Sequence, residues 1–285
     1  YNRILLSESD APREDELVTP YTDPRLKDRC ELSKLIRFLL DRGLIVFTRS
    51  RRGVIGVFTV RKKGDQQRLI FDCRLVSAFC RQPPKTILST VSALAGIRLP
   101  EDPGDGPYGA HVAAIDLVDS FYRFRWTALA SLFAFGPAFR AAEFGVTECI
   151  DEDGHWCSVT ARDWVYACLA TLPMGWTWSL HLCHMVLVRA MLIAAQFAGV
   201  STDTVTSLLV CDGRPGPRLR AGHVLLAPYV DNANIVTFLL GGGGVIMGGH
   251  AWYWSYSNTD VAHNYPGNKI AKETGLFVSN AWGYN

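Results

Sequence analysis

Two carboxylates stand at the ends of apolar, β-rich runs. Asp231 lies inside "LLAPYVDNANIVTF" (225–238), and Asp116 closes the run "HVAAIDL" (111–117). A carboxylate at the end of a buried strand is costly unless something pairs with it. Two of them on adjacent strands offer hard oxygen ligands to Mg2+ or Mn2+. Paired cations about 4 Å apart can then clamp the attacking and leaving oxygens of a phosphoryl transfer. Asn232, next to Asp231, adds an amide oxygen to that metal set but no charge. Each residue also has an ordinary reading. Asp231-Asn232 suits the two-residue polar turn of a β-hairpin, and Asp116 suits the N-cap of a helix that follows it.

Two further stretches bear on the same chemistry. The segment 49–74, "RSRRGVIGVFTVRKKGDQQRLIFDCR", is strongly basic, whereas 1–31 and 101–119 are acidic. Lys62 and Arg68 flank its Gly64-Asp65 turn. Arg offers a bidentate fork to a phosphate and Lys a point charge. The same lysines also suit a solvated edge hairpin that resists aggregation. "LPMGWTWS" (172–179) is a Pro-Gly turn opening a helix. It could present backbone N–H groups to a nucleotide, or simply bury its tryptophans.

The elements that must position these groups follow from periodicity. Apolar residues at Leu32, Leu35, Ile36, Leu39 and Leu40 form a helical stripe, with Asp23-Pro24 as a start and Gly43 as a stop. "GVIGVFTVRK" and "QRLIFDCR" read as strands joined by "KKGDQQ". "TVSALAGI" reads as a helix, "PEDPGDGPYG" (100–109) as a loop, and 111–117 as a buried strand. Residues 131–167 read as strands and a helix with a loop at "DEDGH". A long helix follows "LPMGWTWS", then a loop over 211–222, then the hairpin. After Leu240 no period is legible. The predicted fold class is α+β.

The chain has 285 residues, 48% apolar and 20% charged, with a net charge of +2. That balance excludes a disordered chain and predicts a sizeable core. Eight cysteines without a CxxC pair, and no signal-peptide pattern, predict reduced thiols in an intracellular protein of the cytoplasm or nucleus. "HLCH" (181–184) could pass for a metal cluster. It lies in the apolar run 180–200, which also holds Arg189 and Gln196, so a buried core helix is predicted rather than a metal site or a membrane span.

Four stretches, taken in order, resemble the fingers and palm of a reverse transcriptase of the retrotransposon kind. "FTVRKKGDQQRLIFDCRLVSAF" resembles that family's fingers hairpin and "AAIDLVDSFYRF" its first palm motif. "LPMGWTWSLHL" resembles its Leu-Pro-x-Gly motif, and "APYVDNANIV" its Tyr-x-Asp-Asp hairpin. The match runs over about residues 24–240. The resemblance implies the fingers and palm of a right-hand polymerase; no stretch of this sequence resembles a thumb. Its parts would be a lead-in at 1–22, fingers at 23–87 and 124–170, and palm at 88–123 and 171–285 with an irregular tail. It implies RNA-directed DNA synthesis, with phosphoryl transfer from a deoxynucleoside triphosphate to a primer 3′-OH on an RNA or DNA template. It implies Mg2+ held by Asp116 and Asp231. Leu117 and Val118 would put backbone near the triphosphate, and Phe121 would gate the sugar. Lys62 and Arg68 would meet phosphates, Met174 and Gly175 would line the nucleotide pocket, and Tyr229 would touch the primer. It implies no membrane partner and an origin in a longer polyprotein.

Asn232 departs from the motif, which has a second Asp there. The loss of charge loosens any metal and opens an alternative, a non-catalytic nucleic-acid-binding remnant of such a polymerase. An unrelated α+β enzyme with a chance hairpin stays open as a third reading.

Overall fold

A computed structural model describes residues 4–62, 64, 66–98, 108–200, 206–219 and 224–240. In chain order the elements are α1 (Arg29–Leu40), β1 (Ile45–Thr48), β2 (Gly56–Arg61), β3 (Gln67–Asp72), α2 (Arg74–Ala78), α3 (Val91–Ala95) and β4 (Tyr108–Asp116). Then come α4 (Ser120–Arg123), β5 (Ala134–Arg140), α5 (Ala141–Phe144), β6 (Glu148–Ile150), β7 (Trp156–Ser158), β8 (Trp164–Leu169), α6 (Ser179–Phe197), β9 (Val224–Tyr229) and β10 (Asn232–Leu240). The mixed α+β class expected from the sequence is present, with several separate sheets.

The chain divides into two compact units. The first comprises Tyr1–Pro84 and Asp119–Leu182, the second Lys85–Val118 and Cys183–Asn285. In the first unit a five-stranded sheet runs β5-β8-β1-β6-β7, beside the two-stranded β2-β3 hairpin. β1 pairs parallel with β6 and antiparallel with β8. One apolar cluster fills this unit, with Ile36, Phe71, Val76, Phe133, Phe139, Val165 and Leu169 all essentially sealed from solvent.

The stripe predicted for the first helix is realised. Leu32, Ile36 and Leu39 are buried. Its start differs from expectation. The Asp23 carboxylate accepts from the Arg25 N–H, but Pro24–Lys27 makes only a 3-10 turn. The α-helix begins afresh at Asp28, whose side chain accepts from Cys30 and Glu31 N–H groups. The two caps stand five positions apart, and each takes the orphan donors nearest to it. Asp72, at the end of β3, is buried. It accepts from the Tyr21 N–H at 2.8 Å and pairs with Arg74 Nη2 at 2.6 Å, so it ties the N-terminal lead-in to the hairpin.

In the second unit the sheet order is β4-β10-β9, all antiparallel. Side chains alternate across it. Ala233 and Leu226 pack with Leu187, Met191 and Ala195 of α6, while Leu225, Ala227 and Val236 pack on the opposite face with Val210 and Leu219.

Three expectations need correction here. β4 is not a buried strand: Ile115 is 55% exposed, and Ala113 and Asp116 are exposed too. α6 is not buried all round, since Leu180, Met185, Val186 and Phe197 lie exposed. By length and composition it is long and apolar enough to cross a membrane. Both runs read as core because an unbroken apolar run carries no amphipathic period to mark an open face. The loop predicted over 100–109 already ends inside β4, at Tyr108 and Gly109; its remaining residues, and the tail after Leu240, lie outside the described residues.

Candidate functional site

The two strands that carry Asp116 and Asp231 are neighbours. β4 and β10 are paired over nine residues, and the register sets Asp116 directly opposite Asn232. Directly opposed side chains in an antiparallel pair have Cβ atoms roughly 4.5–5.5 Å apart. The ladder continues past the strand end, where the Leu117 N–H donates to the Asp231 carbonyl at 3.0 Å. Asn232 Nδ2 donates to Asp231 Oδ1 at 2.9 Å. Asp116, Asp231 and Asn232 therefore gather at one end of the sheet, with Asn232 buried and Asp116 exposed.

The turn is not Asp231-Asn232 as predicted. Asn232 already pairs with Tyr229 as the first residue of β10, which leaves Val230-Asp231 as the turn. Val230 adopts φ 55°, a left-handed conformation that a β-branched residue resists. Such a residue stores on the order of 1–3 kcal/mol and persists only where neighbours hold it. Here the Val230 N–H donates to His184 Nδ1 at 3.3 Å, and Cys183 Sγ lies 3.6 Å from the Val230 carbonyl. His184 is buried and its Nε2 lies 3.0 Å from the Ile87 carbonyl. The network assigns the proton to Nε2, with Nδ1 accepting. Both ring nitrogens serve the backbone, so His184 is a brace for the turn. Sequence reasoning missed this role. The only signal was a histidine in an apolar helix, whose polar edge must find a partner when buried.

Asp116 does not cap the next helix. The N-cap position of α4 is Asp119, in a left-handed conformation at φ 54° and without a side-chain capping bond. Leu117 and Val118 follow β4 with exposed side chains. Phe121, on α4, packs against the apolar cluster of the first unit. Lys62 and Arg68 also belong to the first unit. The Lys62 N–H closes the hairpin loop on the Gln66 carbonyl at 2.9 Å, and Arg68 sits opposite Val60 on β3. Met174 is 37% exposed. Gly175 has φ 115°, and a Cβ there would fall 2.6 Å from the Phe71 carbonyl oxygen. The tryptophans of "LPMGWTWS" are core residues: Trp176 is 3% exposed and Trp178 8%, and Trp178 Nε1 donates to the Arg81 carbonyl at 2.6 Å.

Among the described residues no group of three or more His, Cys, Asp or Glu side chains converges on a point. The sheet end offers two carboxylates and an amide. The second unit also contains an open apolar groove of about 1020 Å³ between α6 and the sheet, lined by residues that include Ile115, Leu117, Met191, Leu226 and Ile235.

The family model described as "TRPM8, N-terminal domain" matches residues 227–283, from the last half of β9 through β10 and on beyond the described residues. This stretch is similar to TRPM8 channel-associated factors. A TRPM8 channel-associated factor homolog of Xenopus laevis is 41% identical over 51 residues, 17% of this chain and 6% of its own. TRPM8 channel-associated factor 2 of Homo sapiens is 31% identical over 74 residues, 25% of this chain and 8% of its own. The chain thus spans under a tenth of the length of these relatives. A solved foamy viral protease-reverse transcriptase in complex with double-stranded DNA aligns over 92% of this chain and 33% of its own, at 15% identity and a TM-score of 0.35. Likeness at that level carries no weight on fold or activity.

These relatives correct the functional expectation. They are named as channel-associated factors, not polymerases. A retroelement RNA-directed DNA polymerase, nucleotidyl transfer as the activity, and a template-primer with deoxynucleoside triphosphates as partners are all set aside. The expectation of no membrane partner falls with them, because the proteins this chain resembles take their name from a channel.

Proposed function

We propose that this chain acts by binding a protein partner rather than by turning over a substrate, and that the partner is a membrane channel of the TRPM8 kind. The observation that carries this reading is the family match across 227–283, which begins inside the β9-β10 hairpin. The test is capture of TRPM8 from detergent-solubilised membranes by the full chain and by a version ending at Leu240. Capture by the full chain, reduced at least tenfold in the shortened one, is the expected result. No capture by the full chain, or equal capture by both, overturns it.

The sheet end supports a second reading for the same unit, a divalent-cation site. Asp116, Asp231 and the Asn232 amide oxygen are hard donors of the kind Mg2+ and Mn2+ prefer. Asn232 Nδ2 already faces Asp231, which leaves its amide oxygen as the available donor. Mn2+ titration followed by electron paramagnetic resonance is the measurement. Affinity should fall at least tenfold in Asp116→Asn and in Asp231→Asn, and unchanged affinity in both rejects the site. The same pairing of β4 with β10, which sets the two acidic strand ends side by side, also supports a palm-like three-stranded sheet in the second unit, a likeness without polymerase activity. An experimental structure in which β4 leaves β10 would remove that likeness.

A further inference from the structure

We propose that Cys149 and Cys157 are a dithiol that closes to a reversible disulfide when a hydroperoxide reaches the first unit. The two residues are directly opposed on β6 and β7, and their sulfurs lie 3.6 Å apart. Directly opposed residues in an antiparallel pair have Cα atoms roughly 4.5–5.5 Å apart. That lies within the range disulfides tolerate, so the sulfurs need close by only about 1.5 Å to reach bonding distance. The hairpin between them is already built. Asp151 Oδ1 accepts from the Asp153 and His155 N–H groups at 3.0 and 2.8 Å, which holds the turn shut.

The two sulfurs are not equivalent, and the difference assigns their order. Cys149 is fully buried, and burial pushes its thiol up to about 11, so it keeps its proton at neutral pH. Cys157 is partly open to solvent. Arg49 Nη2 lies 3.8 Å from its sulfur and is fixed there by a second contact to the Ser158 carbonyl at 3.4 Å. A guanidinium so placed is the counter-ion that a thiolate needs. Cys157 is therefore the sulfur that a peroxide meets.

The steps balance. The Cys157 thiolate attacks one oxygen of hydrogen peroxide, the O–O bond breaks, and hydroxide leaves. The sulfur is oxidised by two electrons to a sulfenic acid. The Cys149 sulfur then attacks the Cys157 sulfur, the S–O bond breaks, and the proton of Cys149 leaves with the departing oxygen as water. The hydroxide takes up the proton that Cys157 gave up on becoming a thiolate, so the sum is two thiols and one peroxide giving one disulfide and two waters. The product pins β7, at the end of the five-stranded order, to its neighbour β6.

The experiment treats the full chain with graded hydrogen peroxide, quenches by alkylation, and maps cysteines by mass spectrometry. Cleavage at Asp151 and Asp153 separates the two cysteines, so a disulfide appears as a linked peptide pair that reductant undoes. Cys30, exposed on α1, is the internal reference. The linked pair should form at least tenfold faster than Cys30 oxidises. In Cys149→Ser, Cys157 should accumulate as a sulfenic acid that dimedone captures. Arg49→Gln should slow that capture severalfold, and Arg49→Lys should restore part of it. Recovery of both cysteines as free thiols when Cys30 is already oxidised overturns the proposal. So does oxidation of Cys157 to its sulfinic acid in the unmodified chain without linkage to Cys149.

Discussion

Gly175→Ala is expected to destabilise the first unit by about 3 kcal/mol. Two costs add. At φ 115° an L residue is strained whatever space surrounds it, at roughly 1–2 kcal/mol. The added methyl would also lie 2.6 Å from the Phe71 carbonyl oxygen, well inside contact distance. That atom is backbone and cannot swing aside, so the turn or β3 must shift, at a further 1–3 kcal/mol or so. Urea unfolding of the full chain measures it. A loss below about 1 kcal/mol would show that the turn relaxes freely and that Gly175 is not needed for close approach. The outcome bears on function as well as on stability. The sequence placed Gly175 beside a nucleotide by resemblance; contact with the Phe71 carbonyl explains the glycine without any ligand.

Asp72→Asn should lower stability by about 1–2 kcal/mol at neutral pH, and the difference should shrink as the solution is acidified. The Arg74 guanidinium beside Asp72, helped by the Tyr21 and Arg74 N–H groups, holds its carboxyl down at about 2. An unfolded aspartate titrates near 3.9. The folded value is the lower one, so the stabilisation is complete above about pH 4 and is lost as pH falls towards about 2. The carboxylate is buried but Arg74 is 61% exposed, so solvent screening trims what the shift alone would suggest. Urea midpoints for both proteins between pH 6 and pH 3 provide the check. A gap that stays constant across that interval would mean that Asp72 contributes shape and not charge. The N-terminal lead-in should loosen in the variant, since the Asp72 carboxylate also anchors Tyr21.

Local pattern carried the secondary structure well. The stripe Leu32, Ile36, Leu39 needs only a 3.6-residue period, and the β2-β3 hairpin needs only two β-rich runs and a turn between them. Both lie where they were expected. The pairing of β4 with the β9-β10 hairpin was legible from the order of the motifs that resemble a palm, and not from the cost of burying Asp116, which is exposed. The similarity to channel-associated factors was not legible in the same way. The stretch similar to channel-associated factors spans 227–283, much of it where no periodicity could be read.

What the sequence determined by itself is the order and kind of the elements and the acidic residues that end two of them, because these depend on contacts only a few residues long. The tertiary structure decided which groups share a neighbourhood. It moved the hairpin turn by one residue to Val230-Asp231 and gave His184, from the middle of an apolar helix, the task of holding Val230. It left one face of α6 and part of β4 open, and it set Arg49 against Cys157, 108 residues away along the chain. None of these follows from spacing. Register, burial and side-chain partners are fixed by which surfaces pack together, and packing is a property of the whole chain.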